Sequence, residues 1–325
     1  MDLTLGPDEE AVRDAIRALL AERLPVARVR QLIGLSAPLD EAVWREAAEL
    51  GWFGLGLSEA AGGAGYGLAE EMVLFVELGR ALAPGPWLGT LLAAHALAGA
   101  ARKEVIGGAR RVAVLDDPTD TGDGLVADAA AAHGFLVLGR RAARWVDARG
   151  ASVDSHPSID PTRPLARVRL DGVRGEALDA DPAALRRIAT VLLAAEAVGV
   201  AERTLEESVA YATVREQFGR PIGSFQAVKH RCADMAVRAE VARSLTTFAA
   251  LALRDGAPDA ARHVLEAKAL AVDAALANAH DDVQNHGGMG FTWEADAHLY
   301  LKRAWVLEHQ FGTRRALLDE LASAF

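Results

Sequence analysis

Cysteine occurs once, at Cys232, which excludes an internal disulfide framework. A lone thiol fits a reducing compartment, and its plainest use is as a small buried apolar side chain. Basic residues are the minority charge. The 35 Lys and Arg against 45 Asp and Glu leave a net charge of −10, which argues against nucleic acid or an anionic membrane surface as a partner. Long apolar runs are missing too. The least charged stretch, Ala81 to Ala101, carries Pro84, Pro86 and three glycines, and reads as a buried, proline-broken helix pair rather than a bilayer span. Met1 to Glu10 is acidic, without a basic segment leading into an apolar one, so no secretory signal is expected and the cytoplasm is the expected location. Histidines are present, but His280, His286, His298 and His309 show neither H-E-x-x-H spacing nor cysteine partners, and no metal site is expected.

What is there is ordinary for a globular chain: 325 residues, 51% hydrophobic and 25% charged, enough for two or three packed units. Helical periodicity predicts helices over Asp8 to Leu24, Asp40 to Leu50, Leu68 to Leu82 and Trp87 to Ala101, with a glycine-rich loop from Gly54 to Gly67. From Arg110 to Leu178 the pattern changes to short apolar runs separated by turn signals. Arg111 to Leu115, Phe135 to Leu138, Arg144 to Val146 and Arg167 to Leu170 read as strands. Beyond Asp181, helical patterns return over Pro182 to Arg215, Phe225 to Arg254, Asp259 to Val283 and Ala295 to Leu321, the last with a break near Gly312. Val228, Cys232, Met235, Ala239, Ala242 and Leu245 recur every three or four residues as a core stripe, and four such segments suggest an up-and-down bundle. The expected division is 1–105 helical, 106–180 a small β domain and 181–325 the bundle.

Two polar clusters punctuate the helical C-terminal half. Tyr211 to Gln226 reads Y-A-T-V-R-E-Q-F-G-R-P-I-G-S-F-Q, and Gln284 to Gly290 reads Q-N-H-G-G-M-G. The first sets an arginine and a glutamine at facing helix ends, where donors can gather around an anion. The second places Gly287, Gly288 and Gly290 after an amphipathic run, so that backbone can approach a ligand closely. Neither cluster alone establishes a site, since a helix break with arginine and glutamine is more often plain capping, by roughly three to one.

Together, R-E-Q-F-G-R-P-I-G-S-F-Q and Q-N-H-G-G-M-G-F-T-W-E resemble the C-terminal domain of the acyl-CoA dehydrogenase family, and the likeness extends through Trp44 to Leu92 and most of Ala194 to Leu321. The resemblance implies a mainly α fold with a small β domain: an N-terminal helical domain, a middle β domain and a C-terminal four-helix bundle. It also implies FAD as cofactor and oxidation of the Cα–Cβ bond of an acyl thioester, in which a carboxylate takes the α-proton and the flavin accepts the β-hydride. By the same likeness Arg215, Phe218 and Gln226, with Gln284, Gly287 and Gly288, match residues that grip FAD across a dimer interface.

Elsewhere the sequence departs from the family. Where a Thr-Glu-Pro stretch and a glycine/serine loop would hold the flavin ring, the chain reads Asp116-Asp117-Pro118-Thr119, and the middle domain is shortened. The catalytic glutamate is expected at Phe311, in Gln310-Phe311-Gly312-Thr313, or near Ala189, ahead of Ala197-Val198-Gly199; neither position holds a carboxylate. Glu308 and Glu196 are the nearest substitutes, and each reads first as a solvated or salt-bridged side chain. Within the family the chain is similar to the shorter, base-less subunit of actinobacterial members built as α2β2 tetramers, which act on sterol side-chain CoA thioesters. That likeness implies a paralogous partner that supplies the base and binds most of the acyl-CoA. A self-sufficient homomeric flavoenzyme with a relocated base and a flavin-free scaffold subunit remain open readings.

Overall fold

The computed structural model describes residues 3, 6–35, 37–173 and 175–323; the expected domain limits at residues 1 and 325 lie outside them. Among the described residues six α-helices come first: α1 (Pro7–Arg23), α2 (Val26–Leu32), α3 (Glu41–Glu49), α4 (Leu68–Arg80), α5 (Trp87–Ala96) and α6 (Gly99–Ile106). Proline at the start of α1, with Asp8, Glu9 and Glu10 in its first turn, suits the unpaired N–H groups there. The Asp40 carboxylate caps α3 by accepting the Ala42 and Val43 amides at 3.1 and 3.2 Å.

The single helix expected over Trp87 to Ala101 is two. Leu97 and Ala98 are extended, and Gly99 takes φ +58°, a left-handed value that costs glycine little. Pro25, expected only to follow α1, also caps the unforeseen α2.

In the middle of the chain the described residues form seven strands: β1 (Val112–Asp116), β2 (Asp123–Ala127), β3 (Gly134–Leu138), β4 (Ala143–Asp147), β5 (Ser152–His156), β6 (Leu165–Arg169) and β7 (Glu176–Leu178). They make a sheet ordered β1-β3-β4-β7, parallel only between β1 and β3, and an antiparallel sheet ordered β2-β6-β5. The sequence reading located β1, β3, β4 and β6 but not β2, β5 and β7. D-G-L-V-A, S-V-D-S-H and E-A-L are polar or short, and backbone pairing rather than apolar alternation makes them strands. Every residue of β3 is buried. Phe135 and Val137 face the second sheet, while Leu136 and Leu138 face α5.

The C-terminal half is α7 (Pro182–Val214), a hairpin of β8 (Glu216–Gln217) and β9 (Arg220–Pro221), then α8 (Gln226–Arg254), α9 (Ala260–His286), α10 (Ala297–His309) and α11 (Arg314–Ser323). Buried alanines such as Ala195, Ala201, Ala242, Ala271 and Ala275 let these helices approach closely, and α4 joins them in one core. On α8, Met235, Ala239 and Ala242 are buried, whereas Val228, Cys232 and Leu245 are half-buried and Val237 and Val241 face outward. The expected break near Gly312 falls at Gln310 to Thr313, where Phe311 adopts φ +54° and Gly312 φ +97°. The chain is thus mainly helical with a small β region.

Candidate functional site

The hairpin after α7 returns the chain as α8, and the turn at residues 255–259 returns it again as α9, so the C-terminus of α7, the N-terminus of α8 and the C-terminus of α9 share one end of the bundle. Tyr211 stacks on His286 with ring centroids 4.2 Å apart, and Arg231 donates to Asn285 Oδ1 at 2.6 Å, joining the two polar clusters. His286 is fixed from below. Its Nδ1 lies 3.1 Å from Asp282 Oδ1, which also accepts the buried Ser208 hydroxyl at 2.7 Å. Burial pulls the His286 pKa down, but the Asp282 carboxylate and carbonyl outweigh it and raise it above the ordinary histidine value.

Around this support the predicted cofactor residues are exposed. The Arg215 carbonyl accepts the Ile222 amide at 2.7 Å, closing a hairpin whose tip holds Phe218 at φ +53° and Gly219 at φ +75°. Phe218 is 92% exposed, edge-on to Phe225 at 6.1 Å, and the Arg220 guanidinium lies 4.1 Å over the Phe225 ring. The side chains of Arg215, Gln226 and Gln284 are exposed and have no hydrogen-bond or ion-pair partner among the described residues. The three glycines differ. A Cβ on Gly290 would lie 2.4 Å from the Val283 carbonyl oxygen, and Gly287 has φ +62°. Gly288 has neither constraint, and the space a Cβ would take there is empty.

The positions expected for a base lie elsewhere. Ala189 is fully buried among Leu92, Leu138 and Leu185. Phe311 sits in the turn between α10 and α11, half-buried against a cleft of about 290 Å³. Lys268, fully buried, holds that turn by donating to the Leu307 and Gln310 carbonyls at 3.0 and 2.9 Å, and burial brings its ammonium down to about 8. Glu308 accepts the Arg314 amide at 2.9 Å and so caps α11.

Nor does the turn after β1 present free groups. Asp117 is buried, its carboxylate accepting the Thr121 and Gly122 amides at 2.8 and 2.7 Å. Asp116 pairs with Arg186 at 2.6 Å. These side chains, where the likeness expects contacts to a flavin ring, are spent on internal bonds.

One cluster was not foreseen. Arg303 is completely buried in α10, donating to Asp160 at 2.6 Å, Glu196 at 2.8 Å, Thr162 Oγ1 at 2.8 Å and the Leu82 carbonyl at 3.2 Å. Arg163 donates to the other Glu196 oxygen at 3.0 Å and faces Asp128 at 3.4 Å. Glu196, read as solvated or salt-bridged, is therefore the centre of a buried ion-pair network with both oxygens engaged. Burial pushes the Asp128 carboxyl up to about 6 against the pull of Arg163 and Arg303. Sequence carried one signal for the network: Arg303 stands four residues from both Leu299 and Leu307, on the apolar stripe of α10. Among the described residues no three His, Cys, Asp or Glu side chains gather as a metal site; of the histidines named above, His286 stacks on Tyr211, His298 on Trp293, and His309 bonds the Trp305 carbonyl. Among the described residues no helix is long and apolar enough to cross a membrane.

Comparison with known proteins agrees with this architecture. Residues 6–105 match the acyl-CoA dehydrogenase N-terminal domain and residues 187–325 the acyl-CoA dehydrogenase C-terminal domain. Acyl-CoA dehydrogenase IpdE2 of Mycobacterium tuberculosis is 37% identical over 99% of this chain and 98% of its own length; IpdE2 of Mycolicibacterium smegmatis is 35% identical over 98% of each. Among solved structures, a variant of the Tcur3481-Tcur3483 steroid ACAD superposes with a TM-score of 0.89 at 31% identity, covering 98% of both chains. The ChsE4-ChsE5 complex from Mycobacterium tuberculosis gives 0.89 at 26% identity, over 99% of this chain and 98% of the other. Sequence likeness along nearly the whole chain, on a matching arrangement of helices and sheets, means that the chain belongs to the acyl-CoA dehydrogenase family.

Proposed function

We propose that this chain is one subunit of a heteromeric, flavin-dependent acyl-CoA dehydrogenase. It grips FAD across the interface while a paralogous partner supplies the catalytic base. The observation that carries this reading is an asymmetry. At the bundle end Arg215, Gln226 and Gln284 are exposed and have no side-chain partner among the described residues, and Gly288 leaves room for close approach. At the two base positions Phe311 and Ala189 can take no proton; Glu196 has both oxygens in structural bonds, and Glu308 caps α11 through one oxygen while its other oxygen is buried without a hydrogen-bond partner among the described residues.

The donor set fits the dinucleotide part of FAD. Arg215 would meet the pyrophosphate, Gln226 and Gln284 would donate beside it, Gly287 and Gly288 would let main chain approach, and Phe218 would cover an apolar face. FAD, when bound, supplies the hydride acceptor for α,β-desaturation of a CoA thioester. What this chain adds is binding and orientation. The two similar structures are named as two-component systems, which supports a paralogous partner in an α2β2 assembly, and one is named a steroid enzyme, which supports a sterol side-chain CoA as substrate.

Co-expression with candidate partners tests the reading. The chain alone is expected to retain little or no FAD and the assembled pair to retain it. Arg215→Ala should strip flavin from the pair while leaving it assembled, since a charge-assisted contact of this kind is worth about 1.5–3 kcal/mol. Stoichiometric FAD and turnover of an acyl-CoA by the chain alone would overturn the proposal.

A further inference from the structure

The four-stranded sheet has two edges, and they border different spaces. β1 forms one edge, beside the cleft at Phe311, and β7 forms the other. Between the β4–β7 edge and the junction of α5 with α6 runs a groove of about 340 Å³ that shares no lining residue with that cleft. It is apolar at Ala96, Leu97 and Leu178, and its polar lining is His95, Arg102, Arg110, Trp145, Glu176 and Asp179. Arg110 is already matched: it pairs with Glu104 at 2.5 Å, and its guanidinium lies 5.2 Å over the Trp145 ring. Three other charges are not. The half-buried Arg102 guanidinium makes no hydrogen bond or ion pair among the described residues, and only its Nε is closed off from solvent. Glu176, directly opposite Trp145 in the β4–β7 register, and Asp179 are exposed, and their carboxylates likewise make none among the described residues.

His95 is set from behind. Its Nε2 lies 2.8 and 3.1 Å from the two oxygens of Glu71, a completely buried carboxylate that also accepts the Gly56 amide at 3.0 Å. The absence of a side chain at Gly56 makes this possible, since a Cβ there would lie 2.3 Å from Glu71 Oε1. With the Nε2 hydrogen on the carboxylate, the Nδ1 lone pair is left as an acceptor. Nδ1 is neither buried nor partnered among the described residues, so it is available to the groove that His95 lines.

We propose that this groove binds a small zwitterion, an α-amino acid with an apolar side chain, its carboxylate on Arg102 and its ammonium on His95 Nδ1, Glu176 and Asp179. The unmatched charges select that class. Arg102 and the two carboxylates line one groove without pairing, so a ligand bearing both signs satisfies all three. A simple anion would meet Glu176 and Asp179, and a simple cation would meet Arg102. A primary ammonium has three N–H groups for the three acceptors. The apolar part of the ligand covers Leu97 and Leu178, as expected for a small-molecule site. The inference goes beyond the heteromer reading and does not rest on it, because every residue named belongs to this chain and none lies among the expected flavin contacts.

The test uses the full chain and three probes of similar bulk. L-phenylalanine carries both charges, 3-phenylpropionate lacks the ammonium and 2-phenylethylamine lacks the carboxylate. Saturation-transfer NMR and calorimetric titration should show saturable binding of phenylalanine, with either single-charge probe at least about tenfold weaker. Arg102→Gln should bring phenylalanine down to the level of 2-phenylethylamine. Glu176→Gln should weaken phenylalanine and 2-phenylethylamine but not 3-phenylpropionate. Neither side chain has a partner to lose among the described residues, so both variants should keep the wild-type melting temperature. Equal affinity for the three probes, no saturable binding of phenylalanine, or binding untouched by Arg102→Gln would each overturn the proposal.

Discussion

Gly79 and Gly199 face each other where α4 crosses α7, and each leaves room for the other helix's backbone. A methyl group on Gly79 would lie 2.1 Å from the Glu196 carbonyl oxygen, and one on Gly199 would lie 2.0 Å from that of Val76. Both distances are far inside van der Waals contact, and on both sides the obstacle is main chain. Gly199 closes the Ala197-Val198-Gly199 motif, so that motif marks a helix crossing in this chain.

Gly199→Ala should therefore destabilise the chain by about 3 kcal/mol, the upper range for overpacking, because neither helix can yield by rotating a side chain. Gly288→Ala, with open space at its Cβ, should change stability by less than about 0.5 kcal/mol. Urea unfolding midpoints compare the two, and equal effects would contradict the packing described.

Glu196→Leu should cost about 3–5 kcal/mol, the usual penalty when one partner of a buried ion pair is removed and its guanidinium is left unmatched. The reading of Glu196 as structural also requires that Glu196→Gln, in an assembled pair that still folds, keep turnover within a few-fold. A general base contributes on the order of 10²–10⁴ in rate, so a loss of that size would make Glu196 catalytic.

Asp128 gives a pH signature. Its folded pKa of about 6 lies above the unfolded value, so the folded state binds more protons between roughly pH 4 and 6, and this group's contribution to stability falls as pH rises through that window. Asp128→Asn imitates the protonated form. The variant should gain on the wild type by about 1 kcal/mol between pH 5 and pH 7, as measured by chemical denaturation at both. A constant difference would mean that Asp128 is ionised throughout.

Restoring a glutamate separates the two base positions. Ala189→Glu buries an unpaired carboxylate among leucines and should cost several kcal/mol, whereas Phe311→Glu, beside a cleft, should cost less. Neither should confer dehydrogenase activity on this chain alone, as followed by acceptor-dye reduction with an acyl-CoA. Activity in either would show that the rest of a catalytic centre is intact.

The sequence made the long helices legible because they bury one stripe among alanines and leucines, and the exposed bundle end legible because glycine, proline, arginine and glutamine interrupted that period. Arg215 and Gly288 could be picked out for this reason. The edge strands were illegible: S-V-D-S-H becomes β5 through main-chain pairing that no side chain announces. The buried network was missed for a different reason. Asp128, Asp160, Arg163, Glu196 and Arg303 are spread over 176 positions, and only the folded chain shows that the two guanidiniums lie among the three carboxylates.

Arg303 also bears on how the molecule comes apart. One guanidinium joins the Leu82 carbonyl after α4, Asp160 and Thr162 beside the small sheets, and Glu196 of the bundle. Detaching any one layer strands a charge or polar group in the others, so three regions distinct in sequence are bound into one cooperative unit. Calorimetry of the chain should then show a single endotherm whose van't Hoff and calorimetric enthalpies agree, where three independently stable modules would melt in steps.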